Sequence, residues 1–288
     1  MAILFSIRVL SRVIAFINVA LVASLCGVSG VSAEIPSAGT ANHVFLADDS
    51  TGPTVGTPNP PRASLFTPRS IGPKAIFDDA RFLFTSPEFL LVMGSVALPP
   101  VVLRRPFQIE EPEVNEMWRN SATADRIFDA GAVMGQGGYH IAAGLGSYLA
   151  GRMLKSDQLE SFGSDLFRAQ VINGAVTLGM KALVNRTRPD GTPWGYPSGH
   201  TSVSFASAAV VYKHFGPLVG VPAFIASTYI GLSRLQANKH YLSDVVAGAV
   251  LGGYIGYKIA GRSQENISLH ISPMVGSQNG LMLQMKFR

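Results

Sequence analysis

A single cysteine, Cys26, in 288 residues leaves no intramolecular disulfide and no cysteine-based metal site. It sits inside an N-terminal apolar run, so thiol catalysis is excluded as well. Leu25 stands just before it, where a lipid-anchor signal would carry a small residue. Charge is also scarce, at 14% of residues, and 23 basic against 18 acidic side chains leave a formal +5. Residues 1–33 hold Arg8 and Arg12 and no acid, so the remainder carries only +3. Without a charged tail or a basic stripe, that balance argues against a nucleic-acid partner. Long unbroken apolar runs are missing beyond residue 33. Ala130–Gly151 and Pro217–Ser233 carry no charged side chain, but the first is interrupted by Gln136, His140 and glycines and the second by Pro222. Arg168 and Lys181 interrupt one neighbouring helix, and Asp244 and Lys258 interrupt the last. None of these has the character of a clear ~20-residue span, so the sequence favours buried helices of a soluble bundle over membrane-embedded ones, with membrane association as the alternative.

What is present is 47% hydrophobic residues, enough for one sizeable core. Residues 1–33 combine a positive flank, an apolar centre and Val31-Ser32-Ala33, the pattern of an export signal cleaved after Ala33. This predicts a periplasmic or cell-envelope location. Residues 34–74 are rich in Pro, Gly, Ser and Thr and read as a disordered linker. Residues 75–106 are mixed, and Pro99-Pro100 is expected to stop any helix begun near Pro87. Helices are predicted near 113–129, 131–154, 157–187, 200–214, 218–235 and 241–261. The fold class is therefore mainly α, a bundle of about six helices over 75–262. In the last helix Gly248, Gly252 and Gly256 recur every four residues, a flat stripe for close helix packing. In 263–288 apolar residues alternate on both sides of a Gly276–Gly280 turn, which predicts a short β-hairpin.

Three clusters carry chemistry. Lys181 and Arg188 are seven residues apart, two helical turns, and Pro189 ends that helix. An ammonium and a guanidinium converging on one point suit a phosphate. Pro197-Ser198-Gly199-His200 is a helix start, with Ser198 as N-cap, Gly199 allowing close approach and free backbone N–H groups that bind anions. In Ser233-Arg234…His240…Asp244, the histidine and aspartate are four apart. On a helix the carboxylate reaches the ring, fixes its tautomer and leaves the other nitrogen nucleophilic.

The three clusters in this order closely resemble the signature of the type 2 phosphatidic acid phosphatase (PAP2) superfamily, which includes class A acid phosphatases and vanadium haloperoxidases. The resemblance covers about residues 125–262, with its motifs in 181–244. It implies that His240 attacks phosphorus to form a phosphohistidine, that Asp244 orients His240, and that His200 protonates the leaving oxygen and then activates water. Lys181, Arg188 and Arg234, with Ser198 and the Gly199 backbone, would hold the phosphoryl oxygens. The implied activity is a metal-independent phosphatase acting on a phosphomonoester or diphosphate, lipid or small molecule. No cofactor is expected, with vanadate as an inhibitor. The alternatives are a vanadate-dependent haloperoxidase, disfavoured by the compact seven-residue spacing between Pro189 and Pro197, and a catalytically silent envelope scaffold. His43, His140, His214 and His270 are expected to be structural or surface residues. Arg186 and Lys239 are expected to be solvated neighbours, and Trp194 and Tyr196 could line the pocket or pack the loop.

Overall fold

The computed structural model describes residues 68–102, 122–262, 267–274 and 280–287, with side chains over 68–97 and 125–262. The predicted signal segment, most of the linker and the hairpin turn lie outside the described residues. Eight helices occur among them: α1 Pro73–Thr85, α2 Pro87–Val102, α3 Ala122–Met134, α4 Gly137–Leu154, α5 Asp157–Val184, α6 Gly199–Phe215, α7 Pro217–Gln236 and α8 Leu242–Gly261. Two strands, β1 Ile267–Met274 and β2 Gly280–Phe287, pair antiparallel with Ile267 opposite Phe287.

The expectation of about six helices was low because 75–106, read as mixed, forms α1 and α2. Nor do Pro99-Pro100 stop α2 where they stand. A proline at 100 cannot donate to the Val96 carbonyl, which would normally be orphaned. The buried Tyr196 hydroxyl donates to that carbonyl instead. The prolines sit in the last turn, where α2 ends at Val102. The linker boundary also moves. Arg69 pairs with Asp79 at 2.7 Å, and the Ser70 carbonyl accepts from Arg168, so the chain is docked before residue 74.

The order of the bundle decides where the site falls. α6 and α7 are joined through Gly216 alone, and α7 and α8 through 237–241, so the chain folds back on itself at each turn. The C-terminus of α5, the N-terminus of α6, the C-terminus of α7 and the N-terminus of α8 therefore share one end. At the other end Asp79 is fully buried among Arg69, Arg168 and Arg262, and Asp165 lies between Arg168 and His214. Between the ends Leu83, Phe89, Leu166, Ile172, Val210, Leu251 and Ile255 form the main core.

The glycine stripe is the α6–α8 contact. A Cβ at Gly248, Gly252 or Gly256 would lie 2.5, 1.9 or 2.3 Å from the carbonyl oxygens of Ser198, Ser202 and Ala206. Because both helices begin at the site, this contact sets the separation of the second and third motifs. Gly252→Ala must push backbone apart, and we expect it to destabilise the fold by about 3 kcal/mol. The readout is the midpoint of thermal unfolding; a midpoint within a degree of wild type would contradict this packing.

Candidate active site

Lys181 and Arg188 do not share a helical face as the spacing predicted. α5 stops at Val184, because Asn185 adopts the left-handed conformation at φ 41° that asparagine tolerates, and its N–H caps the Lys181 carbonyl at 2.9 Å. Arg188 is delivered by the loop 185–198, held by its N–H to the Thr192 carbonyl and by Gly195 N–H to the Arg186 carbonyl. Lys181 is buried and donates to the Trp194 carbonyl at 2.6 Å, so it steadies the same loop. Its stem passes Gly199, where a Cβ would meet Lys181 Cε at 3.8 Å. The Nε of Arg188 is buried and without a hydrogen-bond partner.

Ser198 occupies the N-cap position, but its hydroxyl does not cap; it accepts from Thr201 Oγ1 at 3.0 Å. Its backbone N–H donates to the Asp244 carbonyl at 2.9 Å, which ties the start of α6 to the start of α8. The peptide before Pro197 is cis. Tyr196 is loop packing rather than pocket lining, clustered with Val96, Met180 and Ala247. Burial pushes its hydroxyl's pKa up, keeping it a donor. Trp194 is 45% exposed.

His240 and Asp244 meet, though not along a helix. α8 begins at Leu242, and Asp244 is its third residue, so its Oδ2 reaches back to accept the Tyr241 N–H at 2.9 Å. That same oxygen lies 3.4 Å from His240 Nδ1, just beyond ordinary hydrogen-bond length. Both residues are buried. Burial, helped by Lys181 and Arg188 and opposed by Asp244, holds the imidazole's pKa below the ordinary histidine value. Its neutral, nucleophilic form therefore persists into more acidic solution.

The other predicted residues join this cluster. Arg234, at the end of α7, is buried with its Nε on Ser233 Oγ at 3.2 Å, and its charge acts on His200. His200 also interacts electrostatically with His240 and Lys181. Lys181, Arg188, Arg234, His200, His240 and Asp244 thus converge at one end of the bundle, with Ser198 and Gly199 between them.

The helix expected near 113–129 is α3, Ala122–Met134, and because it carries no motif sequence reasoning gave it no part in the site. A Cβ at Gly135, just past its end, would sit 2.9 Å from the His200 ring, and the Ala132 backbone hydrogen-bonds that histidine. Asp129 acts on Arg234, and Asp125 accepts from Gln236 at 2.5 Å. Arg186 is not the solvated neighbour expected, whereas Lys239 is exposed as expected and sits in a surface ion pair. Arg186 NH1 lies 2.8 Å from Asp244 Oδ1, and Lys239 pairs with Asp190 at 2.8 Å across the two loops. His140 is held by Ser207 and the Met134 carbonyl, and His214 by Asp165, both structural as expected. His43 and the His270 side chain lie outside the described ones. Among the described residues no three His, Cys, Asp or Glu side chains converge as metal ligands would.

Residues 163–267 match the family model of the PAP2 superfamily. The chain is 38% identical over 117 residues to a lipid A 1-phosphatase of Porphyromonas gingivalis, covering 38% of this chain and 24% of that protein. It is 30% identical over 112 residues to a lipid A 1-phosphatase of Rhizobium etli, covering 32% of this chain and 46% of that one. It thus spans less than half the length of these curated relatives. Among solved structures, LpxE of Aquifex aeolicus aligns over 53% of this chain and 94% of its own, at 20% identity and a TM-score of 0.44. A transmembrane PAP2 type phosphatidylglycerolphosphate phosphatase of Bacillus subtilis aligns over 68% and 98%, at 18% identity and a TM-score of 0.31.

Proposed function

With residues 163–267 a PAP2 superfamily segment, we propose that this chain is a phosphatase that hydrolyses the phosphate ester of a lipid through a phosphohistidine. The observation that carries this is the convergence of Lys181, Arg188 and Arg234 beside two histidines at one end of the bundle. Three cations match a phosphoryl group, and the unpartnered Arg188 Nε supports an anionic ligand, since an unmet buried donor costs about 1–3 kcal/mol.

In the proposed reaction the neutral His240 nitrogen distal to Asp244 attacks phosphorus in line with the leaving oxygen. The P–O bond breaks as N–P forms. Burial and the Arg234 charge hold the His200 pKa down to about 4 in the free protein; the anionic substrate offsets that charge, so His200 takes up a proton and gives it to the departing alkoxide. Asp244 balances the charge gained by the His240 ring. His200, now a base, takes a proton from water, whose oxygen displaces His240 and frees phosphate. Lys181, Arg188, Arg234, the Ser198 hydroxyl and the Gly199 N–H hold the three equatorial oxygens throughout. No metal enters these steps, and vanadate would compete for the same pocket.

The lipid substrate rests on two supports. Both curated relatives are lipid A 1-phosphatases. In addition, large apolar side chains stand exposed along α4 (Tyr139, Leu149, Met153) and α7 (Leu218, Val221, Ile225). α7 is the one helix among the described residues long and apolar enough to cross a membrane. Such faces fit lipid hydrocarbon better than water, so we place the protein in the cell envelope against a membrane rather than as the soluble bundle the sequence favoured. The domain reading we propose keeps a signal at 1–33 and a C-terminal hairpin at 263–288, and moves the boundary between the linker, expected at 34–74, and the helical phosphatase domain, expected at 75–262, to before the docked Arg69.

The test is a panel of lipid A, other lipid phosphates and diphosphates, and soluble phosphomonoesters, assayed with detergent-extracted protein. Phosphate should be released from lipid substrates with at least ~10-fold preference in kcat/KM over soluble ones. Preference for soluble esters would overturn the substrate class. Halide oxidation with vanadate and peroxide, without phosphate release, would overturn the reaction.

A further inference from the structure

We propose that Arg186 is a positioning residue for the reaction: one guanidinium fixes the Asp244 carboxylate and the turn that carries it, and so sets the aim and charge of His240. The proposal rests on the phosphatase reading above for its kinetic arm only.

The contacts are specific. Arg186 NH1 donates to Asp244 Oδ1 at 2.8 Å and to Ser243 Oγ at 2.7 Å. The guanidinium carbon lies 4.1 Å over the centre of the Tyr241 ring. Three residues at the α8 start, Tyr241, Ser243 and Asp244, are thus gripped by one side chain that is 11% exposed, while Asp244 is fully buried. A buried carboxylate needs a counter-charge, and a hydrogen-bond partner on each oxygen to stay in one orientation. Oδ2 serves the Tyr241 N–H and His240, and Oδ1 serves Arg186. Because the carboxylate is rigid, pulling on Oδ1 fixes where Oδ2 points. The 3.4 Å gap to His240 Nδ1 leaves that aim dependent on the guanidinium anchor.

Charge is the second contribution. Asp244 faces His240 as an ion already shared with a cation, so it can support a developing imidazolium without holding a full charge against the resting ring. Arginine suits both parts, since its plane stacks on Tyr241 while one edge bridges two acceptors; lysine would keep the charge but lose the stack and the fork.

The other groups around His240 are Lys181 on α5, Arg188 on the 185–198 loop and His200 at the start of α6, and none is altered by the substitutions proposed. Arg186→Gln should lower kcat about 100-fold while KM changes less than about threefold, the size seen for partners that orient a reacting group. Arg186→Lys should recover about tenfold of that loss. In Arg186→Gln the unshared Asp244 charge should raise the His240 titration by about one unit, and Arg186→Lys should leave it near wild type. That titration is followed by NMR of ¹⁵N-histidine protein without substrate, the signal assigned by its absence from His240→Gln. An unmoved His240 titration, a loss carried by KM, or no recovery with lysine would each overturn the proposal. If the titration moves as stated but wild-type protein releases no phosphate, the positioning role stands and the phosphatase reading falls. If Arg186→Gln does not fold, Arg186→Lys decides: its kcat must fall about tenfold at unchanged KM, and wild-type kcat would overturn the proposal.

Discussion

His240→Gln should lower kcat by at least about 10⁴-fold, or roughly 5.5 kcal/mol of transition-state stabilisation. Glutamine matches the volume of the ring but cannot form a stable bond to phosphorus. Nothing else in the cluster can replace it, because His200 lies at the start of a different helix and is not paired with Asp244. The fold should survive, since Asp244 keeps its contacts with Arg186 and the Tyr241 N–H when the ring is gone. The decisive readout is a ³²P-labelled protein trapped by rapid quench in alkali, where phosphohistidine survives. Wild type should carry label and His240→Gln none. Label retained in the variant, or activity within tenfold of wild type, would move the nucleophile elsewhere.

The second largest effect is expected at Arg188. Arg188→Ala should reduce kcat/KM about 10³-fold, the upper end of what one charged donor to a developing oxyanion supplies. Its buried, unpartnered Nε is the reason to expect the upper end: the donor is already desolvated and makes no bond that phosphate must displace. Backbone bonds at Arg188 with Thr192 and Gly191 hold the loop whatever the side chain, so the fold should persist. Inhibition by vanadate should weaken in parallel, because the same oxygens are held. Full vanadate affinity in Arg188→Ala would place the anion away from this guanidinium. Arg186→Gln should show the opposite division, with kcat lost and vanadate binding kept, so the two arginines are separable by experiment although only Thr187 lies between them.

The chemistry was legible because these groups are rare in an apolar chain. Ser198, Gly199, His200, His240 and Asp244 stand out by their order and spacing relative to Lys181, Arg188 and Arg234, and that spacing survives any small error in helix boundaries. The geometry behind the spacing was less legible. Seven residues from Lys181 to Arg188 looked like two helical turns, yet a left-handed Asn185 converts the second half into loop. Four residues from His240 to Asp244 looked like one helical turn, yet the contact comes from a carboxylate folding back over the first turn of α8. In each case a local backbone choice produced the same juxtaposition by another route. The eight-helix count was missed for a related reason. A proline in the last turn of α2 leaves a carbonyl orphaned, and only a hydroxyl from 100 residues away satisfies it.

The sequence by itself determined which residues make up the three motifs and that the chain is mainly helical. Both depend on residue type and short-range pattern, which the sequence carries directly. Only the tertiary structure decided that α3 backs His200, that Arg186 anchors Asp244, and that apolar faces of α4 and α7 stand exposed. Those facts depend on which helix faces meet across the bundle. That is set by long-range packing, chiefly the glycine contact between α6 and α8, and no window of consecutive residues records it.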